Sequence, residues 1–350
     1  MKGPNPFTAS GGSGADFRGR KPELEIYAEM LKEVAAGRPQ LLDVSGSPGS
    51  GKSALLRRLR EEAEVHGLFA LVSVAGEGES TASLLSDVSA DLLNYAEGKA
   101  AEGRLSGRVA AAMRATARDG GFLLSFARIA GRHAEGLVLM VDDADALKDA
   151  RELAAFLSAA RAEAERERLK LGFVLSSTSA IPGIGDGAKA ARLGPFDEHD
   201  IREMAEHALK KGPVKMGEEC LRSVIDESEG NPRVATTICR VIYDRLPEKE
   251  KIITKRHYIT FYPAIMGVLG REFFDPLYRE LPPSEREVLR AFAESEGRAS
   301  HISDIARRLG KRHATTLAMR LAARGQLVRI DRGLYKVFTR LYGRYALQRG

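Results

Sequence analysis

Eight consecutive residues, Gly46-Ser47-Pro48-Gly49-Ser50-Gly51-Lys52-Ser53, place three glycines, a lysine and a hydroxyl in the pattern G-x-x-x-x-G-K-[ST]. Glycines at 46, 49 and 51 let the backbone curl with several N–H groups turned inward, because no Cβ obstructs an approaching anion. Such a loop suits phosphate oxygens. Lys52 would reach the β and γ phosphates of a nucleoside triphosphate and the Ser53 hydroxyl would hold Mg2+, while the helix that must start near Lys52 adds its positive end. The alternative is a glycine-rich turn with no ligand. Magnesium also needs a carboxylate close to the phosphates, and Leu137-Val-Leu-Met-Val141-Asp142-Asp143 ends an apolar run in two of them. Neighbours along a strand point differently, so Asp142 is read as orienting the metal's water shell and Asp143 as positioning an attacking water. Capping of the following helix is the alternative for both acids.

These residues need a scaffold. Pro22 to Val34 reads as a first helix, and Leu41, Leu42 and Val44 as a short buried strand entering the glycine loop. Helix Lys52–Glu64 follows, with Leu55, Leu56, Leu59 and Ala63 on one face. Strand Leu68–Val74, helix Ala82–Tyr95, one or two helices between Arg104 and Ile129, strand Leu137–Val141, helix Lys148–Glu167 and strand Leu171–Ser176 complete an alternation that predicts a parallel sheet of the α/β class over 40–195. The last strand ends in Ser176, Ser177 and Thr178, hydroxyls placed where a γ phosphate could be monitored. From Asp197 the strands stop, and helices are expected at 198–210, 218–229 and 232–245, the last capped by Asn231 with Pro232 at its first position. Arg233 just beyond could reach the phosphates; a surface arginine in a first helical turn is its alternative. The expected organisation is a loose, disordered arm over 1–15, an α/β core over 16–195, a helical lid over 196–275 and a third domain over 276–350.

A chain of 350 residues exceeds what one core usually supports. Its 6% aromatic fraction, without Trp, leaves Leu and Ala to do much of the packing, which favours helices. No apolar run of about 18 residues occurs and the basic N-terminus has no apolar segment behind it, so no membrane span and a cytoplasmic location are expected. Cys220 and Cys239, both in helical segments, indicate neither a metal cluster nor a disulfide framework. Charge is uneven: residues 301–350 carry 12 Lys/Arg against only Asp304 and Asp331, a field that attracts polyanions.

The same basic segment reads as a winged helix. Pro282 and Pro283 precede Ser284 and Glu287, read as a capping box introducing helix 285–294; Ile302–Leu309, a turn at 310–312 and helix His313–Arg324 follow. Leu327 to Val337 reads as a hairpin turning at Gly333. The second helix of the helix-turn-helix pair would enter a DNA major groove, presenting Arg312, His313, Thr315, Thr316, Met319 and Arg320, with Leu317, Leu321 and either Ala314 or Ala318 inward. Arg329, Arg332 and Lys336 would lie on the wing beside the DNA backbone. Packing against protein is the alternative use of this module.

Together these residues resemble the AAA-type ATPases, in particular an archaeal group related to the origin-recognition initiators and to the STAND signalling ATPases. Phe17-Arg-Gly-Arg20 before Glu23-Leu24 resembles the family's adenine-side box, which implies nucleotide contacts for Phe17 and Arg20. Residues 46–53 and 137–143 match its Walker A and Walker B motifs, Ser177 and Thr178 stand at its sensor-1 position, and Gly230-Asn-Pro-Arg233 is similar to its lid element. Leu193-Gly-Pro195-Phe196 resembles the junction entering the lid, and Arg192 is the one arginine near the place of a trans-acting finger. The resemblance implies ATP and Mg2+ as ligands and an α/β P-loop NTPase fold of AAA type, with a helical lid and a C-terminal winged helix. Asp143 stands where faster relatives carry Glu, which implies slow hydrolysis and a switch-like role. The expected function is ATP-controlled binding of double-stranded DNA, of initiator or regulatory kind. The alternative is a STAND-like signalling ATPase whose winged helix serves protein contacts or homo-oligomer formation.

Overall fold

A computed structural model describes residues 2–7, 17–103, 106–116, 122–184, 187–310 and 313–349. They divide into two compact units. One comprises Arg20–Ser45 and Lys52–Leu193; the other comprises Met1–Gly19, Gly46–Gly51 and Gly194–Gly350.

The first unit runs α1 (Lys21–Ala35), β1 (Gln40–Gly46), α2 (Lys52–Val65), β2 (Phe69–Val74), α3 (Thr81–Ala101), α4 (Gly107–Thr116), α5 (Phe122–His133), β3 (Leu137–Asp142), α6 (Ala150–Arg166), β4 (Leu171–Ser177) and β5 (Lys189–Leu193). The strands form one five-stranded sheet in the order β2-β3-β4-β1-β5, parallel at β2/β3, β3/β4 and β4/β1. Strands β3 and β4 are buried along their whole length, as strands covered on both faces must be, and their Leu, Val, Met and Phe side chains supply that burial. Leu55, Leu56, Leu59 and Ala63 of α2 are buried as their spacing predicts. Chain order places β1 beside β4 although β2 and β3 intervene in sequence. Consequently the ends of β1, β3 and β4, which carry the glycine loop, the paired acids and the serines, emerge on one edge of the sheet.

In the second unit the elements are α7 (Glu198–Leu209), β6 (Lys215–Met216), α8 (Glu218–Ser228), α9 (Pro232–Arg245), β7 (Ile252–Ile253), α10 (Lys255–Leu269), a π turn at Gly270–Phe274, α11 (Asp275–Arg279), α12 (Pro283–Ala293), β8 (Ser300–His301), α13 (Ile302–Leu309), α14 (Ala314–Ala323), β9 (Leu327–Asp331), β10 (Leu334–Val337) and α15 (Arg340–Gln348). The three lid helices stand where their periodicity places them. Four expectations differ. Strands do not stop at 197, because β6 and β7 form a short parallel pair. The capping box at Ser284 does not form: α12 starts at Pro283 behind Pro282, without a side-chain cap, since proline tolerates the first helical position. Among the described residues no separate core divides 196–275 from 276–350, because one cluster runs from Phe7 and Ile201 through Phe273 and Phe274 to Tyr345 and Ala346. The arm over 1–15 is not loose along residues 2–7: Lys2 Nζ donates to the carbonyls of Tyr243 (2.9 Å), Asp244 (2.9 Å) and Leu246 (2.7 Å). Those carbonyls close α9, where a cation complements the helix dipole, and Phe7 is buried against Tyr243. Residues 8–16 lie outside the described ones.

After α12 the chain follows the order helix, strand, helix, helix, strand, strand, with β8-β10-β9 as a three-stranded sheet. The hairpin pairs Leu327 with Val337 and Arg329 with Tyr335, and turns at Gly333 with φ +72°. Both Ala314 and Ala318 join Leu317 and Leu321 inward on α14. No described helix is long and apolar enough to cross a membrane.

Candidate nucleotide site

Gly49 and Gly51 adopt φ +75° and +96°, backbone that a side chain strains and glycine does not. The Ser50 N–H donates to the Ser47 carbonyl at 3.1 Å, closing the turn. Lys52 begins α2, whose first turn carries no acid, so the helix N-terminus keeps its positive character. Lys52 is buried, 8% exposed, while Ser53 is exposed at the start of the same helix. Burial pushes the Lys52 ammonium below its ordinary range, and the carboxylates of Asp143, Asp145 and Asp142 oppose that shift. A buried cation among three acids, at the end of a glycine loop, is a donor set suited to an anion with a bound divalent metal.

Asp142 is the last residue of β3 and is buried. Its Oδ1 accepts the Ser176 hydroxyl from β4, and also the Asp143 N–H at 3.1 Å. Ser176 Oγ in turn accepts the Asp143 N–H at 3.1 Å. With Oδ1 committed, Oδ2 is the oxygen left to a metal or its water. Asp143 leaves the strand in left-handed backbone, φ +52°, and is exposed. The two acids therefore diverge as expected, but through this turn and not through strand alternation. Although the residue as a whole is exposed, partial desolvation of its carboxyl, and then the Asp142 charge, raise the proton affinity of Asp143, while Lys52 lowers it. Neither acid caps the next helix: Asp149 does, accepting the Arg151 N–H at 2.9 Å.

Ser176, read with Ser177 and Thr178 as a hydroxyl at the strand end, instead holds Asp142 and the Asp143 N–H, and sequence reasoning passed over Asp145. Ser177, one of the expected sensors, is fully buried and donates to the Ser179 carbonyl at 2.8 Å. Thr178 donates its N–H to Asp145 at 2.8 Å. Asp145 lies three residues beyond Asp142, and that spacing on the same loop was the available signal. Among the adenine-side residues, Phe17 is half-buried and Arg20, buried and in left-handed backbone, directly precedes α1 without a side-chain cap and pairs with Glu23 at 3.5 Å.

The lid element belongs to the same unit as the loop tip. Gly230 (φ +77°) packs on Pro195 and Phe196, where a Cβ would lie 2.3 Å from the Phe196 carbonyl oxygen. Asn231 caps α9 and donates its Nδ2 to the Pro48 carbonyl at 2.9 Å. The Arg233 N–H donates to the Gly49 carbonyl at 3.3 Å. Its guanidinium lies over the Phe273 ring at 4.4 Å and donates to the Glu272 carbonyl at 2.8 Å. Arg233 thus meets the loop through its backbone.

Of the residues read as DNA-facing, His313 just before α14 and Thr315, Thr316 and Arg320 on it are exposed, with Met319 59% exposed between the last two. Arg312 lies outside the described residues. Arg329 and Arg332 are exposed on the hairpin. Lys336 of β10 is instead paired with Glu229 at 3.3 Å, and Arg344 of α15 with Glu227 at 3.1 Å, so these two cations are already met by acids at the end of α8.

A buried acid of the first unit falls outside every motif. Asp43, in β1, is 7% exposed and its Oδ1 has no hydrogen-bond partner. Burial raises its pKa from 3.8 to about 6 against the opposing charge of Arg192. A carboxyl that binds its proton more tightly when folded destabilises the fold once that proton leaves. Stability should therefore fall between about pH 4 and pH 6 and then level, by about 2–3 kcal/mol. Asp43→Asn is expected to remove that slope and raise stability at pH 7.5 by a similar amount, read from urea unfolding at pH 4.5 and 7.5; equal pH slopes in both proteins would contradict the assignment.

Residues 16–174 match the AAA ATPase domain family, and residues 271–335 match a domain of unknown function, DUF8462. A search of curated proteins found no match. Among solved structures, the Walker-type ATPase PABY2304 of Pyrococcus abyssi superposes with a TM-score of 0.69 at 16% identity, over 95% of this chain and 97% of that one. The RuvB Holliday junction branch migration motor of Thermotoga maritima gives 0.51 at 18% identity, over 94% and 95%. Cdc6p from Pyrobaculum aerophilum gives 0.52 at 15% identity, over 94% of each. At these identities the likeness is one of fold, and that fold is the P-loop NTPase architecture with a helical C-terminal region. The glycine loop that follows β1, the acids at the end of β3 and the match of residues 16–174 to the AAA ATPase domain family agree on a P-loop NTPase fold.

Proposed function

We propose that this chain binds Mg-ATP through Gly46–Ser53 and Asp142, hydrolyses it slowly with Asp143 positioning the water, and uses the nucleotide state to control binding of double-stranded DNA by its C-terminal winged helix. The observation that carries the nucleotide reading is Lys52, buried at a helix N-terminus and facing three carboxylates. Lys52 would stabilise charge developing on the transferred phosphoryl group, Ser53 and Asp142 would hold the metal, and the metal would neutralise the phosphate oxygens. The DNA reading draws on the exposed polar face of α14 and the excess of basic residues after 300. The STAND-like reading, in which this module serves protein contacts, is favoured by one observation: Lys336 and Arg344 are spent on Glu229 and Glu227.

A duplex titration with ATP, with ADP and without nucleotide separates them. The expected result is binding that weakens steeply with salt, its slope reporting several phosphate contacts, and duplex affinities that differ by about fivefold or more between ATP and ADP. Absence of binding at low salt would reject the DNA reading and leave the signalling one.

A further inference from the structure

One aromatic ring touches three parts of the second unit. Phe273, in the π turn and 4% exposed, sits against the tip of the glycine loop: a Cβ built on Gly49 would lie 2.8 Å from its Cζ, 2.7 Å from Asn231 Oδ1 and 3.0 Å from Arg233 Cβ. Its face carries the Arg233 guanidinium at 4.4 Å. Its edge meets Phe338 at 5.9 Å, at an interplanar angle of 69°. Phe338 directly follows β10 and packs on Tyr342 of α15 at 4.9 Å. The Tyr342 hydroxyl donates to Gln326 at 2.7 Å, and Gln326 Nε2 donates to the Leu277 carbonyl at 2.9 Å.

The loop contact is therefore not an isolated packing event. Interiors packed at this density shift between arrangements and do not deform smoothly. Movement of the loop at Gly49 must displace the ring or be resisted by it, and the ring is fixed on its far side by the aromatic side chains that carry the C-terminal hairpin and helix. The π turn matters because the helix path there presents Phe273 and Phe274 inward together, Phe274 meeting Tyr342 at 5.3 Å and Tyr345 at 5.7 Å. Single π turns inside helices recur at functional positions.

We infer that Phe273 is a positioning residue for the phosphate loop, and that through Phe338 it makes the conformation of that loop and of the C-terminal module depend on each other. The inference rests on the nucleotide reading above. Substitution of a residue that only filled the core would lower the melting temperature of the variants and leave the nucleotide affinity of the folded protein unchanged. A ring whose Cζ abuts the loop makes affinity fall more for Tyr than for Leu, since the tyrosine hydroxyl extends from Cζ directly at Gly49 while leucine ends short of it.

The test is binding of a fluorescent ATP analogue with Mg2+ to wild type, Phe273→Leu and Phe273→Tyr, with thermal melting of each and amide hydrogen exchange over 326–348. Expected are an affinity loss of about tenfold for Phe273→Tyr and less than about threefold for Phe273→Leu. Nucleotide should change exchange over 326–348 in wild type, and this change should vanish in Phe273→Leu while the analogue still binds. Equal affinities in the two variants, or an exchange change that survives in Phe273→Leu, overturns the role of Phe273 and leaves nucleotide binding standing. A wild type that folds but binds no analogue overturns both.

Discussion

Lys52→Ala should lose Mg-ATP binding by about a hundredfold or more while the fold persists. Two terms add. The substitution removes a charge-assisted contact to the phosphates, and it leaves Asp142, Asp143 and Asp145 without the cation that faces them. A tetraanionic ligand would then meet uncompensated negative charge at low dielectric. Truncating one partner of a buried, hydrogen-bonded charge pair in a binding site costs about 3–5 kcal/mol of binding free energy, and that range corresponds to more than two decades in affinity. The fold should tolerate the change, because burial already disfavours the charged form of Lys52. The same depressed proton affinity has a pH consequence: wild-type affinity for ATP should decline on the alkaline side earlier than an ordinary lysine would dictate. Isothermal titration with ATP and Mg2+ measures both effects. A variant that binds as wild type would remove Lys52 from the site.

Asp143→Asn should separate binding from turnover. Affinity for Mg-ATP should stay within about threefold, since Asp142 remains to serve the metal, whereas hydrolysis should fall by about a hundredfold or more when the group positioning water can no longer accept a proton. The substitution is sterically mild here. Asparagine accepts left-handed backbone nearly as well as aspartate, and the contacts that hold residue 143, to Asp142 and Ser176, use its backbone N–H. Because partial desolvation and Asp142 raise the proton affinity of Asp143, wild-type turnover should be lost on acidification above the pH at which an ordinary aspartate titrates. Single-turnover phosphate release reports this directly, and unchanged turnover in Asp143→Asn would show that another group positions the water.

Much of the architecture is visible in residue patterns, and the failures have physical causes. Glycine spacing, apolar runs and α2's periodic leucines specify the loop and the sheet, because a strand buried on both faces can be built from little else. Strand β5, in contrast, alternates Ala191 and Leu193 with exposed Ala190 and Arg192, too short and too polar a pattern to stand out. Helix α10 contains Pro263 and has only Tyr258, Ile265 and Leu269 buried, which blurs its period. The capping box at Ser284 was outcompeted by the rigid Pro282-Pro283 pair. Within the candidate site, residue types point to Lys52 and the paired acids, yet Ser176 holds Asp142 only because β4 lies beside β3, a pairing that is long-range in the chain. Phe273 carries no motif at all; its importance comes from where the π turn sets it.

The central claim is that the loop at 46–53 holds a nucleoside triphosphate together with magnesium, and equilibrium dialysis of the purified chain against millimolar ATP and Mg2+ tests it most directly. Close to one nucleotide retained per chain, lost on Lys52→Ala, is the predicted result. A folded wild-type chain that retains none, under conditions where its melting curve is intact, would contradict the account.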